Sequence, residues 1–290
     1  MLWDTMYEFL KSWFIFPGLK WDLMLISIGL AIAFGAVWML GYWPYIFKKV
    51  WVWPVMIVSA FLSLLSVTFV QIPLQYYIDK GLSLAWEPTT LANWYLLAGI
   101  PAVLASGLVQ EASKSVPMAI WWWRSGKNIT PKMGLLIGAV AGAGFGIFEA
   151  FWVHSRIFSA GWTTQLIGQY GFDGISGFWE RFFTVGFHTA VSALVGYGLA
   201  KGKWWQYFLI AAGLHSLANY SAVFLTYFVY IRPVDWIKVT YIEIYIAVLT
   251  AIITAVVLYL RWRKSKDEEP MAPAEPIGPL PTELPADIND

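Results

Sequence analysis

The chain has 290 residues, of which 59% are hydrophobic and 13% charged, with a formal charge of +1 and a mean hydropathy of +0.60. Soluble domains carry roughly 45–50% apolar and 25% charged residues, so the composition excludes an ordinary soluble protein and points to an integral membrane one. The near-neutral charge excludes a nucleic-acid surface, and the absence of cysteine excludes disulfides and thiolate metal ligands.

Residues 1–19 read as a short interfacial helix that ends at Pro17-Gly18. This segment lacks the basic flank and small-residue cleavage pattern of a signal peptide, so it is expected to be retained. The sequence predicts spanning helices over about 21–43, 51–75, 91–123, 133–153, 178–200, 204–231 and 236–262. Each apolar run is long enough for a hydrocarbon core of about 30 Å. The third is too long for one simple span and carries Pro101, where a kink is expected. Residues 154–177, rich in glycine, read as a loop or re-entrant element. The stretch 264–290 is acidic and proline-rich with few large apolar residues, and is expected to be a disordered tail.

The predicted fold is therefore all-α, a polytopic bundle of about seven spanning helices. The transmembrane domain covers 20–263, with the functional core over about 91–231. Trp43, Trp51, Trp53, Trp121 to Trp123, Trp204 and Trp205 fall at the edges of the apolar runs, where indole prefers the headgroup level. The connections 44–50, 124–132, 201–203 and 261–266 hold eleven Lys and Arg and no Asp or Glu. By the positive-inside rule the C-terminus is cytoplasmic and the N-terminus outside.

Four ionisable side chains lie deep in the apolar runs: Glu111, Glu149, His188 and His215. Each such group costs about 2.5 kcal/mol or more in hydrocarbon, so membrane helices keep them mainly for function. Counted from the helix ends on the basic side, all four lie about 17–24 Å deep, nearly in one plane. Gly134, Gly138, Gly142 and Gly146 form a tandem small-residue ridge, with Glu149 one turn further on. His188, Ser192 and Gly196 make a similar row, and His215 and Asn219 are four apart. The polar groups therefore share faces with small residues and are expected to point into the bundle. Glu111 and Lys114 are spaced to pair. His154 falls at the outer end of its helix and is expected at the surface.

Taken in order, these motifs resemble the superfamily of CAAX prenyl endopeptidases and bacteriocin-processing (CPBP) membrane proteases, in particular its PrsW and YhfC branches. Gln110-Glu111-Ala112-Ser113-Lys114 matches an E-E-x-x-K motif, Phe145 to Glu149 an F-x-x-x-E motif, and His188 a single histidine. His215 to Asn219 matches H-x-x-x-N. The likeness covers about residues 100–225 and departs from the pattern at Gln110, where the family carries the first Glu. It implies an intramembrane endopeptidase that cuts a membrane-embedded or lipid-anchored polypeptide, in a prokaryotic plasma membrane. In a metal form, Glu149, His188 and His215 would bind one Zn²⁺, Glu111 would be the general base, and Lys114 or Asn219 would stabilise the oxyanion. In a metal-free form a glutamate and His188 would activate the water, and His215 with Asn219 would form the oxyanion site. A catalytically inactive scaffold of the same fold remains an alternative, as does a proton-coupled transporter.

Overall fold

The computed structural model describes residues 1–42, 48–234 and 239–263. The expected tail at 264–290 and the boundary residue Trp43 lie outside them. Every regular element among the described residues is helical. Helix α1 (Leu2–Ser12) precedes α2 (Trp21–Met39), which ends in a 3₁₀ turn, Leu40–Tyr42. Then α3 (Val52–Ser66) runs through a π-turn, Val67–Gln71, into α4 (Ile72–Ala85). Two short helices, α5 (Pro88–Asn93) and α6 (Tyr95–Ala98), lead to α7 (Ile100–Arg124). Helix α8 (Pro131–Ser159) is followed by α9 (Gln165–Tyr170), a 3₁₀ turn at Gly171–Gly174, and α10 (Ser176–Ala200). The chain closes with α11 (Trp204–Thr226), a second π-turn, Tyr227–Ile231, and α12 (Val239–Trp262). Seven of these stretches are long and apolar enough to cross a membrane.

The antiparallel pair α8 and α10 forms the centre. In their most apolar windows 78% and 83% of residues are buried, against 22–39% in the other spans. The reason is the small-residue ridge. A Cβ on Gly134, Gly138 or Gly142 would run into the carbonyls of Gly196, Ser192 and His188, so the two backbones touch as only glycine permits. Helices α2, α3, α7, α11 and α12 surround this pair. Side chains pin several of them: Ser59 Oγ donates to the Ala141 carbonyl at 2.6 Å, and Trp38 Nε1 to the Phe182 carbonyl at 2.7 Å. The N-terminal helix is tied in as well, with Trp13 stacked on Trp152 at 4.8 Å between ring centroids.

Two local expectations are corrected. Pro101 does not kink a continuous helix; the chain breaks before it, and Pro101 sits in the first turn of α7, where its missing N–H costs nothing. His154 is not at the surface. It is buried between the rings of Phe34 and Phe178, because α8 continues to Ser159 and α2 packs across that end.

Candidate active site

Helix α7 carries Gln110, Glu111 and Lys114, α8 carries Phe145 and Glu149, α10 carries Arg181 and His188, and α11 carries His215 and Asn219. Glu111, Lys114, His188 and His215 are all 2% exposed or less. The sequence brings them here by close approach of small residues: Gly142 lets α10 reach α8 at His188, and Gly107 lets α11 reach α7 beside Ser216, next to His215.

Lys114 Nζ bonds Glu111 Oε1 and lies 3.1 Å from His188 Nδ1. The same Glu111 oxygen is 2.6 Å from His215 Nδ1. Glu111 Oε2 is buried and has no hydrogen-bond partner among the described residues. The two imidazole centroids are 5.0 Å apart, and the Phe145 ring lies under both Lys114, at 4.9 Å, and His188, at 4.6 Å. Charged groups buried this deeply cost several kcal/mol each unless paired, and here every one has an opposite or hydrogen-bonding partner.

Glu149 stands on the other side of His188. Its Oε2 is 3.1 Å from His188 Nε2 and 2.9 Å from Arg181 Nη1. Arg181 also pairs with Glu180. A carboxylate already neutralised by an arginine accepts from the imidazole, so His188 Nε2 carries the proton and Nδ1 keeps its lone pair facing the centre of the cluster. By the same reasoning His215 Nδ1 donates to Glu111, which leaves the lone pair on Nε2.

Among the described residues, one group of three potential ligands has all its donor atoms within 4.8 Å of one another: Glu111, His188 and His215. Two imidazoles and a carboxylate are a donor set that suits zinc, and Glu111 Oε2 is an orphaned buried oxygen of the kind a cation satisfies. The residues therefore fit a metal, although the Lys114 ammonium already touches two of the three donors. The carboxylate that shares the histidine pair is Glu111; Glu149, placed in the metal set from sequence, instead meets the far nitrogen of His188. Gln110 points elsewhere, toward Gln71 and Ser106.

A cavity of about 440 Å³ borders the cluster, lined by His188, His215, Arg181, Gln110 and Asn219 together with Gln71 of the first π-turn and Gln75 of α4. Arg181 and Glu180 were not expected. The signal available was the pair Glu180-Arg181 inside FWERFF, two turns ahead of His188 on the same helix.

The model of the PrsW family intramembrane metalloproteases matches residues 51–259, most of the chain and a range that contains the four motif positions. The chain belongs to the PrsW family. No curated protein and no solved structure matches it. PrsW membership together with seven apolar helices makes this a multi-pass membrane protein. As a family of metalloproteases, PrsW suggests a metal and a polypeptide substrate, and the Glu/His group offers a place for the former.

Proposed function

We propose that this protein is an intramembrane endopeptidase whose metal is held by Glu111, His188 and His215. The observation that carries the reading is the convergence of these three buried donors beside a polar cavity. Zinc is the ion expected from the donor set. When bound, it would supply Lewis acidity toward a water and a scissile carbonyl. Glu111 would offer the metal its unpartnered oxygen, Oε2, while Oε1 stays bonded to Lys114 and His215. The Lys114 ammonium and the Asn219 amide are the donors available to a developing oxyanion. Glu149, anchored by Arg181, fixes the tautomer and orientation of His188, and outer partners of this kind typically alter metal affinity or activity 10–100-fold.

The substrate class that suits this burial is a membrane-embedded or membrane-anchored polypeptide. The charge pattern of the connections supports a cytoplasmic C-terminus, and the family resemblance supports a prokaryotic plasma membrane. The four ordered motifs support kinship with the wider CAAX and bacteriocin-processing superfamily. A non-catalytic scaffold is the second reading, and Lys114 favours it, because the ammonium neutralises Glu111 without any metal.

One experiment separates the two. New protein N-termini are mapped by mass spectrometry in cells expressing the wild type or His215→Ala. The protease reading expects termini within or beside membrane spans that disappear in the variant. Identical termini from both would overturn it.

A further inference from the structure

Beside the cluster runs a row of uncharged amides, of which the catalytic reading uses only Asn219. Gln110 Nε2 donates to Gln71 Oε1 at 3.0 Å and to Ser106 Oγ at 3.3 Å. Gln71 Nε2 donates to Gln75 Oε1 at 3.4 Å, and Gln75 Nε2 to the Ala102 carbonyl at 3.0 Å. From the other side, Asn219 Nδ2 donates to Ser106 Oγ at 2.6 Å. All five side chains line the cavity that also holds His188 and His215. The π-turn Val67–Gln71 ends at Gln71, and the extra residue in such a turn re-aims the helix face beyond it. One buried acceptor in the row is left over among the described residues. Gln110 is 7% exposed, and its Oε1 is buried without a partner among the described residues.

A spanning substrate helix satisfies its own backbone. To be cut, it must open for a few residues, and each freed N–H or C=O then costs several kcal/mol in a medium without water unless the enzyme supplies a partner. Neutral amides supply both donors and acceptors with no charge to desolvate. Their position next to Glu111 and His215 is where the opened stretch would lie.

We propose that Gln71, Gln75, Gln110, Ser106 and Asn219 form a backbone-binding subsite for an unwound stretch of a transmembrane polypeptide, with Gln110 Oε1 accepting a substrate N–H. This rests on the endopeptidase reading and deepens it. It also gives Gln110 a positioning role at the place where the family pattern carries a glutamate.

The test measures binding, not turnover. The full-length protein in lipid nanodiscs is titrated with three fluorescent synthetic transmembrane peptides. One is an uninterrupted Leu/Ala span, one carries a central Gly-Gly-Ser-Gly break, and one is the broken peptide with the amide N–H groups of the break replaced by ester oxygens. The broken peptide should bind about three- to tenfold tighter than the uninterrupted one, the worth of one or two neutral hydrogen bonds. Gln110→Leu should erase that preference and Gln110→Glu should keep it. Should Gln110→Leu not fold, the ester peptide asks the same question of the wild type and should bind like the uninterrupted span. Equal binding of the first two peptides, or a preference that survives both Gln110→Leu and the esters, would overturn the subsite. Absence of cleavage in cells would count against the endopeptidase reading alone, because this binding comparison involves no cleavage.

Discussion

Two helix pairs meet in this bundle and are built on opposite principles. The α8–α10 seam is glycine against backbone carbonyl, with no room for a single Cβ at Gly134, Gly138 or Gly142. The α7–α11 seam holds Gln110, Glu111, Lys114, Ser106, His215 and Asn219, and it borders a cavity. The first seam gains from dispersion at close contact; the second is held by hydrogen bonds, which in membrane proteins are worth only about 0.6 kcal/mol each on average. A rigid pair therefore presents His188 and Glu149 to a softer, polar pair. Chemistry needs the second, and precise placement needs the first.

The comparison is most severely tested by removing the chemistry. His188→Ala or His215→Ala should reduce cleavage by about 10²–10⁴-fold, the usual worth of a positioned acid–base group or more. Thermal unfolding in detergent should show the α8–α10 seam intact. Next in size are the partners of His188. Arg181→Gln or Glu149→Gln should weaken metal affinity about 10–100-fold, read by competition with a chelator, while saturating metal restores occupancy. The tight seam is probed by Gly138→Leu, which should destabilise the protein by roughly 1–3 kcal/mol or more through overpacking. Gly213→Leu is the contrasting change, since nothing lies within 4 Å of a Cβ there. It should leave the melting temperature unchanged or raise it.

Much of this was legible in the sequence because a bilayer leaves few options. Spans must be long and apolar, so all seven are visible as runs, and a Glu or His inside one advertises its cost. The glycine spacing on α8 likewise announced its contact face. What the sequence carried poorly is rotation about each helix axis. Glu111 and Glu149 fall at similar depths by residue count, and only the packed bundle shows that Glu111 bonds His215 and lies within 4.8 Å of a His188 nitrogen while Glu149 meets the outer nitrogen of His188. His154 misled for a related reason: depth placed it at a helix end, but the azimuth turns it onto Phe34. Gln71 and Gln75 gave no signal at all. A neutral amide in an apolar run carries no charge penalty, and the π-turn that aims Gln71 inward has no sequence signature.

The division of labour between the two glutamates is the central claim, and metal content tests it most directly. Purified protein, reconstituted with zinc, is assayed by elemental mass spectrometry for the wild type, Glu111→Ala, His215→Ala and Glu149→Ala. One ion per chain in the wild type, lost in Glu111→Ala and His215→Ala but recovered at higher zinc in Glu149→Ala, is the expected result. Full occupancy in Glu111→Ala with none in Glu149→Ala would contradict the account and return the metal to Glu149, His188 and His215.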